Sequence, residues 1–79
     1  MSQYFTNQAY KNAAAVTTSD TADNYGVGLY VGGAGNVSVV TEGGQTAVFT
    51  APPVGSIIPV RFVKVNATGT TATLLVRLW

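Results

Sequence analysis

The sequence predicts an all-β fold, a small antiparallel β-barrel or β-sandwich with an extended N-terminal arm. Val and Thr are abundant, and β-branched residues favour strands. Gly, Pro and Asn interrupt the chain at intervals of roughly 8–12 residues, which is typical of short strands joined by turns. A length of 79 residues leaves room for one domain. We therefore expect an arm over residues 1–14 and a single β-domain of about six strands over residues 15–79.

The first strand of this domain is expected over residues 15–18. A turn over residues 19–24 follows, in which Ser, Asp and Asn side chains can bond to the nearby backbone. The next strand, over residues 25–31, alternates between two faces. One face carries Tyr25, Val27, Leu29 and Val31, and the other carries Gly26, Gly28 and Tyr30. The two glycines would leave a groove that the ring or backbone of a neighbouring molecule could enter.

Two glycine-rich turns are expected to form hairpins in the middle of the chain. The loop over residues 32–36 leads to a strand over 37–41, and the turn over 42–45 leads to a strand over 46–50. With the strand over 25–31 they would form a meander.

The remaining elements are a crossing loop and two longer strands. Residues 51–55 include adjacent prolines, which lack the backbone N–H that a sheet requires. A strand is expected over 57–65, with Pro59 marking an edge or a bulge. A turn over 66–70 then leads to a last strand over 71–79.

The last strand carries apolar side chains on both faces. Alternation places Leu74, Val76 and Leu78 on one face, and Thr73, Leu75, Arg77 and Trp79 on the other. A single core covers only one face of a sheet. Either a compact barrel tolerates a few apolar residues at its surface, or the second face, with Leu75 and Trp79, is a subunit interface.

The arm over residues 1–14 matches neither a strand nor a helical stripe, yet it contains Tyr4, Phe5 and Tyr10. Aromatic rings seldom remain in solvent. Either the arm packs across its own β-domain, or it docks on a neighbouring subunit or host surface, with disorder as a less favoured alternative.

The composition excludes several kinds of site. The chain contains no Cys and no His, which excludes Ser-His-Asp triads, Cys-His pairs and ordinary zinc sites. Domains of this size are usually stabilised by disulfides, a metal or partner subunits. Because the first is absent and the second is disfavoured, we expect a homo-oligomer without catalytic, metal or cofactor sites.

The charge is too small to favour nucleic acid or a membrane as the partner. The net charge is +1 with four cationic residues, whereas DNA binding rests on many phosphate contacts. Arg61, Lys64 and Arg77 could contribute to an OB-like nucleic-acid module, but we favour their binding carboxylates or backbone carbonyls at a subunit seam. The longest uncharged runs are broken by Gly, Pro, Thr and Ser, so no membrane span is expected.

Two local motifs receive structural interpretations. The glycines within residues 26–32 lack the following helix that a dinucleotide-binding fingerprint requires. Asp20 and Asp23 form a close carboxylate pair that could bind Ca²⁺ or act in acid–base catalysis. Turn capping by these carboxylates is the favoured interpretation.

A linked series of segments extends through most of the chain, comprising residues 28–37 (GLYVGGAGNV), 48–49 (VF), 53–55 (PVG), 59–61 (PVR) and 65–72 (VNATGTTA). The series resembles the head spike base proteins of tailed bacteriophages and gene transfer agents, and is close to small capsid decoration (cement) proteins. The resemblance covers roughly residues 16–79. It implies a β-barrel or sandwich that assembles symmetrically outside an icosahedral head, either as a vertex spike base or as a trimeric knob between capsomers.

We therefore expect a structural virion protein without enzymatic activity, made in the bacterial host cytoplasm and located on the outer surface of the capsid. Its expected partners are further copies in a trimer or pentamer, the major capsid protein and, for a spike base, a spike or fibre protein. A carbohydrate-binding or fibre-tip module, presenting Tyr25, Tyr30 or Trp79 to a sugar, is the alternative. The expected subunit or capsid interface comprises Tyr4, Phe5, Tyr10, Gly26, Gly28, Tyr30, Arg61, Val63, Leu75, Arg77 and Trp79.

Overall fold

The structure, a computed structural model, describes residues 10–79, so the expectations for Tyr4 and Phe5 lie outside the described residues. Residues 10–79 contain no helix, and the prediction of an all-β fold is confirmed. The strands are β1 (Ala13–Ala15), β2 (Gly28–Tyr30), β3 (Val37–Thr41), β4 (Thr46–Phe49), β5 (Ile57–Ile58), β6 (Phe62–Val65) and β7 (Val76–Leu78).

The strands form two antiparallel sheets around one core. The four-stranded sheet has the order β1-β7-β2-β5, and the three-stranded sheet has the order β4-β3-β6. Both sheets contribute to the core, which comprises Leu29, Val31, Val37, Val39, Ile58, Phe62, Val65, Ala72 and Leu75. The alternation of Leu29 and Val31 with smaller or more polar neighbours explains why this segment turns one face inward.

The segment predicted as one strand over residues 25–31 is shared between the two sheets. Gly26 forms a bridge with Phe62 of β6, whereas the Val27 N–H donates to the Leu78 carbonyl of β7 at 2.8 Å. Glycine is required at the crossing, because a Cβ on Gly26 would lie 2.5 Å from Cζ of Phe62.

The predicted meander is wrong in its first turn. β2 pairs with β5 and β7, and β3 pairs with β4 and β6, so residues 32–36 cross from one sheet to the other. Beyond the end of β2, the Gly32 N–H donates a hydrogen bond to the carbonyl of Leu74, which precedes β7. This bond keeps the chain beside the four-stranded sheet for two residues after β2 ends. The second hairpin is confirmed, since Val40 pairs with Thr46 across the glycine turn.

The strand predicted over residues 57–65 divides at Pro59. β5 belongs to the four-stranded sheet and β6 to the three-stranded sheet, because a proline cannot supply the N–H needed to continue the ladder. A bulge follows in β6, where Val40 pairs with Lys64 but Thr41 pairs with Phe62, which leaves Val63 as the extra residue.

The last strand is shorter than predicted. β7 begins at Val76, because Leu74 has a φ of 54° and interrupts the extended backbone. The first strand begins at Ala13, two residues before the expected position, and pairs with β7. It therefore includes the end of the segment that the sequence assigned to the arm.

Candidate functional site

The outward side of the four-stranded sheet is apolar. Residues paired directly across antiparallel strands share a side of the sheet. Tyr30 pairs with both Ile57 and Val76, and its neighbour Leu29 is buried in the core, so this row faces outward. The rows on this side, called here the apolar face, comprise Ala13, Ala15, Gly28, Tyr30, Ile57, Val76 and Leu78.

The apolar face contains no charged side chain and remains partly open to solvent. Tyr30 is 36% exposed and Ile57 is 41% exposed. Contiguous exposed apolar residues often mark interaction surfaces. Another protein segment could therefore pack on this face without removing a charged side chain of these strands from water. The centres of protein interfaces are likewise depleted of charged residues.

The ring of Tyr10 lies on this face above Gly28. A Cβ added to Gly28 would lie 2.8 Å from the Tyr10 hydroxyl oxygen and 3.3 Å from Cγ2 of Ile57. The grooves predicted at Gly26 and Gly28 for a neighbouring molecule are instead filled by Phe62 and Tyr10 of the same chain.

Exposed apolar side chains continue at the end of β2. Leu74 is 75% exposed and Val54 is 58% exposed. The Leu74 carbonyl accepts a hydrogen bond from the Gly32 N–H, and Gly55, next to Val54, donates to the Val31 carbonyl. Leu74 also holds the left-handed backbone conformation, which costs about 1–2 kcal/mol for a residue with a Cβ. An exposed leucine in a strained conformation often indicates a functional position.

Arg77 and Trp79 lie on the opposite side of β7 from the apolar face. Arg77 pairs with the core residue Leu29, and its guanidinium carbon lies 4.0 Å from the centroid of the Trp79 ring. Its Nη1 donates to the Tyr25 carbonyl at 2.6 Å. The sequence suggested that this arginine binds at a subunit seam, but the described chain itself supplies its carbonyl and aromatic partners.

The outward side of the three-stranded sheet is more polar. Lys64 pairs with Val40, and its Nζ lies 3.3 Å from Oδ1 of Asp23. Ser38, on the same side, is buried beneath the 66–70 turn. Its backbone N–H donates to the Thr70 hydroxyl at 2.9 Å, and its own hydroxyl accepts from the Asn66 side chain at 3.1 Å. The two outward sides therefore differ in chemistry.

The carboxylate pair Asp20 and Asp23 is separated in function. Asp23 faces Lys64, whereas Asp20 accepts hydrogen bonds from both the backbone N–H and the hydroxyl of Thr68, at 2.9 Å and 2.6 Å. The Thr68 side-chain hydrogen bond, followed by its backbone hydrogen bond, lowers the pKa of Asp20. Asp20 therefore ties the 19–24 turn to the 66–70 turn, rather than forming a cation site with Asp23.

The residues predicted for the interface do not form one surface. Tyr10, Gly28 and Tyr30 come together on the apolar face. Leu75 packs in the core and Gly26 is buried beneath Phe62, which corrects their expected outward positions. Arg61 precedes β6 and is exposed, and Val63 is the bulge residue of that strand.

The sequence did not identify several residues that form most of the exposed apolar surface. They are Ile57, Val76 and Leu78 on the apolar face and Leu74 and Val54 at the end of β2. Their signal was present as apolar residues on both sides of the last strands, but the sequence placed the opposite side of β7 outward.

In residues 10–79 we find no cavity and no group of three or more acidic side chains that could hold a metal ion. Nor does this part of the chain include a helix with the length and apolar character of a membrane span.

Comparison with known proteins gives a match to a solved structure. The two folds superpose with a TM-score of 0.79 and share 34% sequence identity, over 95% of this chain and 96% of the other chain. The matched chain is part of the capsid of a native gene transfer agent particle, determined with C5 symmetry. No protein-family model matches the chain, and no curated protein matches it significantly.

Proposed function

This chain belongs to the same family as a protein of the gene transfer agent capsid, and we propose that it is a non-catalytic structural subunit on the outer surface of a phage-type head. The observation that carries the proposal is the match at 34% identity over nearly the whole of both chains. Because the likeness includes both sheets, it concerns the complete described domain rather than a shared hairpin.

We assign the subunit to one of two related roles. It is a decoration (cement) protein between capsomers, or a head spike base protein that carries a spike or fibre. In either role the partners are the major capsid protein and further copies of this chain in a closed ring of three or five. Closed symmetry covers sheet edges that would otherwise pair with other chains.

The surface chemistry supports a role in protein contacts. Leu74 and Val54 expose apolar side chains beside an uncharged sheet face. A capsid offers the same contact many times, so an oligomer with weak individual contacts can bind through multivalency. Arg61, Val63 and the Arg77–Trp79 pair remain proposed as additional subunit or capsid contacts.

Particles with and without this protein provide the test. We expect particles that lack it to keep their shells but to lose external density in cryo-electron microscopy, and purified protein to restore that density. Leu74→Ser protein should restore less of the external density. Val48→Ser, at a site 56% exposed on the other sheet, is the matched control and should restore the density fully. Density inside the shell, or no loss of density in the deficient particles, would contradict the proposal.

A further inference from the structure

We propose that the outer edge of β4 pairs with β4 of a second copy of this chain, antiparallel and across a two-fold axis at Val48. The pairing joins two three-stranded sheets into one continuous sheet of six strands. This inference does not rest on the proposed function, and β4 lies in the other sheet from the apolar face. A two-fold contact cannot join neighbours within a closed ring of three or five, so on a particle it would link subunits of different rings.

The backbone of β4 directs hydrogen-bonding groups away from the sheet at alternate residues. Residues directly opposite in an antiparallel pair exchange both backbone hydrogen bonds or neither. Ser38 lies opposite Val48. The Ser38 N–H donates to the Thr70 hydroxyl, and its carbonyl accepts from the Asn66 N–H, so both groups point away from β4. Val48 therefore directs its own N–H and carbonyl outward, and so does Thr46, two residues earlier.

Within residues 10–79, the β4 edge of the three-stranded sheet is open, whereas the β6 edge is covered. The Asn24 N–H donates to the Val63 carbonyl of β6 at 2.6 Å. The Ser19 N–H donates to the Val65 carbonyl at 2.9 Å. Apart from its ladder with β3, the backbone of β4 forms no hydrogen bond with this part of the chain. Outward N–H and carbonyl groups of this kind are a template for another strand.

β4 also lacks the features that usually prevent edge strands from pairing. Native edge strands are often protected by Lys, by Pro or by a bulge. Thr46–Phe49 contains no charged residue and no proline, and all four residues pair regularly with β3. By contrast, Pro59 directly follows β5, and β6 contains the bulge at Val63. β1, the remaining outer strand of residues 10–79, has three residues, so β4 is the longest edge without such protection.

A second copy of β4 is complementary to this edge. With the axis at Val48, each Val48 exchanges both backbone hydrogen bonds with its counterpart, and Thr46 faces the second copy's Thr50. An axis at Ala47 would leave Thr50 unused and place Val48 opposite a threonine. Val48 is 56% exposed, so its pairing with valine buries apolar area and no charge. An isologous contact makes each of these pairs on both subunits.

Disulfide formation tests this register, because the chain contains no Cys. Val48→Cys places two thiols across the axis, where the Cα atoms of a hydrogen-bonded pair lie about 5.5 Å apart, within the range that a disulfide spans. Thr46→Cys is the matched control, since it is exposed on the same strand but its counterpart would be displaced by about 13 Å along the second strand. Val54→Cys, 58% exposed outside the strands, is a second control.

The full-length proteins are checked for native circular dichroism, oxidised at a series of micromolar concentrations and analysed by intact mass. We expect Val48→Cys to form covalent dimers at least tenfold faster than either control, at a rate that rises with protein concentration. Equal rates for Val48→Cys and Thr46→Cys would overturn the inference. Occupation of the edge by any other segment would also leave Val48→Cys at the control rate, with the same consequence.

A charge at the axis provides a second test without Cys. Val48→Lys places like charges directly opposite each other, which opposes strand pairing. By sedimentation equilibrium, this variant should associate at least tenfold more weakly than the unmodified protein, whereas Val54→Lys should not. Unchanged association of Val48→Lys would overturn the inference. Val48→Ser keeps the outward backbone groups and no charge, so we expect it to keep the pairing. No capsid is present, so these outcomes are independent of the proposed role on the particle.

Discussion

Asp20 and Thr68 are joined by two hydrogen bonds although they lie 48 positions apart in the sequence. Both carboxylate oxygens accept from the same threonine, one from its backbone N–H and the other from its hydroxyl. The contact connects the turn that follows β1 to the turn that precedes β7, which are at opposite ends of the chain.

This contact predicts a loss of stability in acid. The hydrogen bonds from Thr68 lower the pKa of Asp20 in the folded protein, so its contribution is present above the unfolded value of about 3.8 and is lost as the pH falls through the lower folded value. Urea unfolding at a series of pH values measures this. In Asp20→Asn, the free energy of unfolding should fall less between pH 4 and lower pH than it does in the unmodified protein. Glu42→Gln, in the β3–β4 turn, is the control and should keep the full fall in the free energy of unfolding. Identical pH profiles for Asp20→Asn and the unmodified protein would contradict the prediction.

Gly26→Ala should destabilise the fold by about 1–3 kcal/mol. The new methyl group would lie 2.5 Å from Cζ of Phe62, whose ring is fully buried in the core. Gly43→Ala is the control, because the nearest atom to its new methyl group lies 3.8 Å away. The unfolding midpoints in urea compare the two variants, and a Gly26→Ala protein as stable as the control would show that the ring moves at little cost.

Leu74→Asn should raise stability and weaken particle binding. Asparagine adopts the left-handed conformation more readily than leucine, so relief of strain should add up to about 1 kcal/mol, and little apolar burial is lost from a side chain 75% exposed. Loss of its apolar surface should reduce restoration of deficient particles. Thermal unfolding and particle binding are measured together, and Leu75→Ala, which removes a core side chain, should instead cost about 2–5 kcal/mol of stability.

Tyr10 and Gly28 should be energetically coupled. Gly28→Ala displaces the Tyr10 ring, and this cost should largely disappear once Tyr10→Ala has removed the ring. A double-mutant cycle on the free energy of unfolding should therefore give a coupling of about 0.5–3 kcal/mol. Additive effects of the two substitutions would mean that the ring is not held at Gly28.

The sequence predicted the local features of the fold better than its long-range pairings. The β3–β4 hairpin was predictable because alternating strands flank a glycine turn within one short segment. The division at Pro59 was visible in part, since proline interrupts a ladder wherever it occurs. The pairing of β1 with β7 carries no local signal, because it joins residues from the two ends of the described chain.

The candidate site shows the same limit. Apolar residues on both sides of the last strand correctly indicated that one sheet has two apolar sides. Which side faces inward depends on how Leu75 enters the core after the left-handed turn at Leu74, and leucine gives no sequence signal for that conformation. The close contact of Tyr10 with Gly28 likewise depends on tertiary packing.

The strand order has a consequence for how the subunit is made. β7 comes last of the strands in the chain but lies between β1 and β2 in the sheet. Among the strands of residues 10–79, only β3 and β4 pair as consecutive strands, so most of the described fold requires the closure of long loops, which slows folding. The four-stranded sheet and its apolar face can form only after β7 has left the ribosome. Synthesis of the chain through β7 therefore precedes formation of the apolar face, and a chain that ends before β7 cannot present it.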